Sequence, residues 1–166
     1  MKIVVAVHVE GAQAVAAAVA FEAWDAAEAT KTYVSRIAQV EKPERGALDL
    51  RELPCVMQLL REHQLTPELI VIEGFVHLDG DDTPGLGRHL FQALGEQVAV
   101  VGVSKKRLPG LSAQYEIERE EETPPLVVTS AGIDIGAAKV RLRSMHGRKR
   151  VPTLMKLAAR LAKNGE

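Results

Sequence analysis

Along the chain, stretches in which apolar residues run together give way to stretches in which they recur every three or four positions. Ile3 to Val9 is an almost unbroken run rich in β-branched residues and reads as a buried strand, ending in a turn near Gly11. Ala14 to Phe21 and Tyr33 to Val40 read as two further strands, although alanine is a poor strand former, with Trp24-Asp25-Ala26 in the connection between them. Short connections join antiparallel strands, whereas parallel ones need a long crossover. The first forty or so residues therefore predict an antiparallel meander.

The rhythm then changes. Pro43 to Gly46 is a cluster of breakers, after which Asp49 to Gln64 carries Leu50, Leu53, Met57 and Leu60 at helical spacing. Asp49 and Glu52 have the spacing of a capping box at its start, and Pro54 is still near the first turn. Leu69 to Ile72 predicts a strand, Leu86 to Leu94 a helix, and Val98 to Val103 another buried strand. Strand, helix, strand, helix, strand is the rhythm of a parallel sheet. Ser112 to Glu122 is polar and predicts loop or edge structure, Pro125 to Thr129 a last strand, and Ala137 to Met145 and Pro152 to Lys163 two terminal helices. The expectation is one α/β domain over residues 1–166: a mixed sheet, antiparallel meander first and parallel strands after, flanked by helices. Ligands of such sheets gather at the carboxyl ends of the parallel strands, which here means just after Val7, just after Ile72 and around Val103.

Length and composition add bounds. A chain of 166 residues with 46% apolar residues can bury one real core. The formal net charge of −1 is uninformative, but the distribution of charge is not. Glu116 to Glu122 is acidic, whereas Ile135 through Lys163 contains many Lys and Arg and no Asp or Glu, which predicts one basic face. The single Cys55 excludes an internal disulfide and fits a reducing compartment. Met1 to Trp24 imitates an export signal, but His8 and Glu10 interrupt its apolar run and Glu22 and Asp25 follow it. With no stretch apolar enough to span a bilayer, the expectation is a cytoplasmic protein that does not engage membranes.

His8 and Glu10 lie two apart on the first strand and leave the same face. Glu73 follows the strand Leu69 to Ile72, and Glu52 opens the first helix. Brought together, these groups could hold a divalent cation through carboxylate and imidazole ligands. Each also has a plainer reading: Glu52 as a capping partner, Glu73 as a solvated strand end, His8 as a partly buried histidine with its hydrogen bonds met. Lys105, Lys106 and Arg107 follow a buried strand where they could meet phosphate oxygens, or simply solvate a loop. Lys139, Arg141, Arg143, Arg148, Lys149 and Arg150 form the basic carboxyl-terminal segment, a polyanion site or a solvated face. His63, His77, His89 and His146 show no metal-ligand spacing, and the phosphate-loop, nucleophile-elbow and dinucleotide fingerprints are missing.

Three segments in order carry a resemblance: Arg51-Glu52 opening an apolar helix, Leu69 to Gly74 (LIVIEG), and Val101 to Leu108 (VGVSKKRL) followed by Pro109-Gly110. Together they resemble endonuclease V, a family with the ribonuclease H-like fold, and the first strand and Leu126 to Ala138 extend the likeness over most of the chain. The amino-terminal helical segment usual in the family has no counterpart here. The resemblance implies cutting of a phosphodiester bond near a deaminated purine such as inosine, with carboxylate-held Mg²⁺ or Mn²⁺ activating water and neutralising phosphate charge. It places the family's helix-opening glutamate at Glu52 and its lysine after the buried strand at Lys105. The first-strand aspartate falls at His8, and the aspartate of the family's Asp-Gly-His-Gly falls at Glu73, in Glu73-Gly74-Phe75-Val76. The late histidine falls near Ala131, with a nearby aspartate near Gly136 unless a small shift recruits Asp134. The Tyr-Ile-Pro-Gly wedge that enters the duplex corresponds to Pro43-Glu44-Arg45-Gly46, which cannot stack on bases in the same way.

These readings predict an endonuclease V-like nucleic-acid-binding protein, on DNA or RNA, with altered, weak or lost cleavage. The candidate catalytic set is Glu52, Glu73 and Lys105, and the candidate metal set is His8, Glu73, Glu52 and Glu10. The alternatives are an active endonuclease using a non-standard ligand set, for which Mn²⁺ or Zn²⁺ would suit His8 better than Mg²⁺, and a non-catalytic scaffold. Oligomeric state is left open.

Overall fold

The computed structural model describes residues 1–41 and 48–165. Three strands, β1 (Lys2–Glu10), β2 (Gln13–Phe21) and β3 (Lys31–Ile37), form the meander the pattern predicts, each antiparallel to the one before. A 3-10 turn, Leu48–Arg51, leads into α1 (Glu52–Glu62). β4 (Leu69–Glu73), α2 (Leu86–Ala93) and β5 (Ala99–Ser104) follow, then the two-residue β6 (Glu116–Ile117), β7 (Leu126–Ala131), α3 (Ile135–Ser144) and α4 (Thr153–Asn164). One seven-stranded sheet runs β3-β2-β1-β4-β5-β7-β6. β1, β4 and β5 are parallel neighbours, while β7 lies antiparallel to β5. Between Ser104 and Leu126 the described elements are a 3-10 turn and β6, with no crossover helix, so the chain returns alongside β5 in the opposite direction.

The sheet separates two apolar layers. Ile3, Val5, Ile70, Ile72 and Val100 pack with Leu59 of α1 and Leu90 of α2. The alternate residues Val4, Val71, Val101 and Val128 pack with Leu142 of α3 and Leu154 of α4. Burial on both faces explains why the central strands read as continuous apolar runs. It also explains the alanines of β2: Ala16, Ala17, Ala18 and Ala20 are all at most 1% exposed. Short side chains there let helices lie close on both sides, and packing overrides alanine's weak strand preference.

One sequence expectation changes. The predicted helix start at Asp49 is a 3-10 turn, and the N-cap of α1 is Arg51, already in the right-handed helical region and making no side-chain cap bond. The chain enters α1 already turning, with Glu52 its first residue, and the side chain of Asp49, the other half of the expected capping box, lies outside the described residues. The stretch Pro43 to Gly46 lies outside the described residues.

Candidate active-site cleft

The parallel register aligns Val5 with Ile72, Ile72 with Gly102, and Glu73 with Val103. β4 and β5 therefore end together, and the next residues of each, with the first turn of α1, close around a cleft of about 320 Å³. Glu52, Glu73, Phe75, Ser104, Lys105 and Lys106 line it. All three candidate catalytic residues, Glu52, Glu73 and Lys105, thus border one space at the end of the sheet where ligands gather. Lys105 Nζ lies 3.8 Å from Glu73 Oε1, both side chains being about half exposed (55% and 53%). Ser104 Oγ accepts from the Lys106 amide at 3.0 Å and turns the chain out of β5.

The loop after β4 is fixed by its neighbours. Gly74 N–H donates to the Val103 carbonyl (3.0 Å), and Val76 N–H donates to Oγ1 of the fully buried Thr129 (2.8 Å). This crossing is possible because Gly102 has no side chain: a Cβ there would stand 2.6 Å from the Gly74 oxygen and 2.9 Å from Thr129 Oγ1. Further along, the Asp79 carboxylate accepts from Thr83 Oγ1 and from the Thr83 and Asp81 amides. The Thr83 hydroxyl, first among these partners, holds the Asp79 pKa below its ordinary value.

His8 and Glu10 sit elsewhere. β1 continues past the end of its pairing with β4, and His8 pairs only with Val15 of β2. His8 and Glu10, with 3.9 Å between Nε2 and Oε2, line a different cleft of about 450 Å³ beside Arg36, Lys163 and Gly165. Among the described residues, no three His, Cys, Asp or Glu side chains are grouped to hold a metal ion. Nor does the donor set fit one closely, since an ammonium stands against Glu73 and the imidazole faces another space. Ala131 pairs with Val100, at the far end of β5 from Lys105, and Asp134 caps α3 by accepting from the Gly136 and Ala137 amides. Neither position faces the cleft. It is α4 that approaches Glu73 and Lys105, through Met155, Lys156 and Ala159, which with Val151 just before the helix wall an adjoining apolar cleft of about 180 Å³. Sequence reasoning did not single out Lys156, Ser104, Phe75 or Thr129; for Lys156 the only signal was its place in the first turn of a terminal helix, just beyond the basic run.

The basic residues divide into two groups. Arg150 donates to the carbonyls of Pro124 (2.8 Å), Lys105 (2.8 Å) and Pro125 (3.2 Å), bolting the α3–α4 connection to the loop that carries Lys105. Lys139 donates to the Gln114 carbonyl at 2.7 Å, and Arg107 pairs with Glu116 at 3.0 Å. Arg141, Arg143, Arg148 and Lys149 are exposed and, among the described residues, form no ion pair. Arg141 and Arg143 stand in the last turn of α3, where the helix dipole also favours cations.

No protein-family model matches the chain. The chain is 32% identical over 111 residues to endonuclease V of two Xanthomonas oryzae pv. oryzae strains, the match covering 65% of this chain and 43% of each relative. It therefore spans less than half the length of these curated relatives. Among solved structures, endonuclease V from Ciona intestinalis, in complex with a 23mer DNA containing an inosine followed by a ribo-adenosine, superposes with a TM-score of 0.78 at 13% identity, covering 99% of this chain and 84% of that one. Endonuclease V from Bacillus subtilis gives 0.76 at 16% identity (98% and 78% covered), and the human protein 0.73 at 18% (99% and 83%). Over its matched part the chain is similar in sequence to endonuclease V, and its fold is that of the solved endonuclease V structures.

Proposed function

We propose that the chain is an endonuclease V-like nucleic-acid-binding protein whose metal-dependent phosphodiester cleavage is altered, weak or lost. The observation that carries this reading is the composition of the cleft: Glu52, Glu73 and Lys105 together, with the Lys105 ammonium 3.8 Å from Glu73 and His8 in another space. Relatives bearing the endonuclease V name support nucleic acid as the ligand, and Lys105 and Lys106 are placed to meet its phosphates. A glutamate in place of an aspartate keeps the charge but moves it by about one methylene, which the tight octahedral geometry of Mg²⁺ tolerates poorly.

One observation favours a second reading. Two carboxylates and a lysine in one cleft are enough chemistry for an active endonuclease with a non-standard ligand set, Mn²⁺ being the more forgiving ion. Incubating the protein with inosine-containing and matched strands, in Mg²⁺ and separately in Mn²⁺, distinguishes the two. Cleavage in Mg²⁺ is expected to be absent or lower by orders of magnitude than that of an endonuclease V with the full ligand set. Preference for inosine is expected to be small, the wedge sequence being replaced at Pro43 to Gly46. Robust Mg²⁺-dependent nicking that disappears in Glu73→Ala would overturn the first reading and make Glu73 a working ligand.

A further inference from the structure

We propose that a nucleic-acid phosphate is held directly on the ammonium groups of Lys105, Lys106 and Lys156, with no divalent cation between protein and phosphate. This rests on the nucleic-acid reading above and adds how the phosphate is held. It departs from the carboxylate-held Mg²⁺ or Mn²⁺ that the resemblance to endonuclease V implies.

The cleft of about 320 Å³ and the apolar cleft of about 180 Å³ are neighbours, for Glu73 and Lys105, with Val5 and Ala6, line both. Lys106 stands on one side of that shared wall and Lys156 on the other. The charged residues lining the pair are two carboxylates, Glu52 and Glu73, against three ammonium groups. A site that carries a metal needs the opposite balance, because carboxylates must attract the cation before a phosphate can follow it. Here the excess is positive before any ligand arrives, and a phosphodiester with its single negative charge matches it. Lys105 Nζ, 3.8 Å from Glu73 Oε1, already gives that carboxylate a cation.

Lys156 supplies an independent sign. It stands in the first turn of α4, where no acidic residue is present and where the positive end of the helix dipole disfavours a cation. A lysine there works against its own helix, the kind of local conflict that functional sites tolerate, and a negative ligand in the cleft relieves it. Its side chain is exposed and, among the described residues, forms no ion pair. Arg150, donating to the Lys105 carbonyl at 2.8 Å from the connection just before α4, ties the two lysine-bearing segments together. Folding, and not the ligand, therefore brings those segments side by side, which lowers the cost of binding.

The test is equilibrium binding of an end-labelled single strand of mixed sequence, read by fluorescence anisotropy at low salt, in EDTA and in Mg²⁺ at matched ionic strength. The unaltered protein is expected to bind as tightly in EDTA as in Mg²⁺. Glu73→Gln should raise affinity about threefold or more in both, since it removes a charge that repels phosphate and frees Lys105. Lys156→Gln should lower affinity by a similar factor and reduce the slope of log K against log salt by about 0.7, the value for one single-strand phosphate. Lys31→Gln, on the edge strand β3, should leave both unchanged. All three side chains are exposed, so glutamine replaces them without repacking the core. Affinity that rises several-fold with Mg²⁺, or that falls in Glu73→Gln, makes Glu73 a metal ligand and overturns the proposal while leaving nucleic-acid binding standing. An affinity unchanged in Lys156→Gln overturns it equally. Failure of the unaltered protein to bind in either condition overturns the nucleic-acid reading and this proposal with it.

Discussion

Arg119 lies in the acidic run Glu116 to Glu122, yet its guanidinium donates to the carbonyls of Leu142, Arg143, Met145, Gly147 and Lys149. It gathers the unmatched oxygens at the end of α3 and along the following loop, a task suited to a planar fork of donors. Burial lowers its pKa from a value so high that it stays charged. Arg119→Ala should lower stability by about 1.5–3 kcal/mol, the range for hydrogen bonds to a charged group, and Arg119→Lys should recover only part of that. Urea unfolding measures both; an unchanged midpoint for Arg119→Ala would mean that water replaces the guanidinium at little cost. Nothing in the local sequence betrays this role, because every partner is more than twenty positions away and all are backbone atoms, which a sequence does not distinguish. The same holds for Arg150, which sequence reasoning grouped with phosphate-binding cations and whose guanidinium is directed to three carbonyls. By contrast, Glu52, Glu73 and Lys105 were legible as a set, since each lies at an element boundary that periodicity locates, and boundaries at one end of a parallel sheet meet in space.

At the scale of elements, the strands and helices follow the apolar pattern closely because both faces of the sheet are covered and leave little freedom in register. What the pattern does not carry is direction and junction geometry: β7 runs against β5, and α1 begins from a 3-10 turn. His8 shows the consequence. Its place on a strand is legible, but the length by which β1 overruns β4 is not, and that overrun sends it to another cleft. The crossing of β5 under the loop after β4 offers a direct test of how that junction works. Gly102→Ala puts a methyl group against two backbone atoms and the Thr129 hydroxyl, none of which can rotate away cheaply. It should cost about 1–3 kcal/mol, as overpacking does, and lower Tm by several degrees in a thermal scan. If Tm is unaffected, the loop after β4 can shift, and its pinning is weaker than its hydrogen bonds imply.

The whole molecule carries almost no net charge, but its cations and acids are segregated. Arg141, Arg143, Arg148 and Lys149 offer an exposed basic surface, whereas Lys139 and Arg150 are committed to backbone carbonyls. Polyanion affinity should therefore fall steeply with added salt, and neutralising the four exposed residues should reduce the slope of log K against log salt by about 0.9 for each duplex phosphate they no longer neutralise. Arg150→Ala should instead show itself first in stability. Titrations at several salt concentrations separate the two, and a slope indifferent to the four substitutions would place the phosphate-binding surface elsewhere. Among the described residues no helix is long and apolar enough to cross a membrane. The position of α4 has a further consequence, for the order of assembly. Its residues Leu154, Met155 and Ala158 cover the second face of β1 and β2, strands synthesised long before it. Val4, Val19 and Phe21 must stay uncovered until α4 itself has left the ribosome, so the meander cannot complete its core alone and folding is bound to wait for that helix.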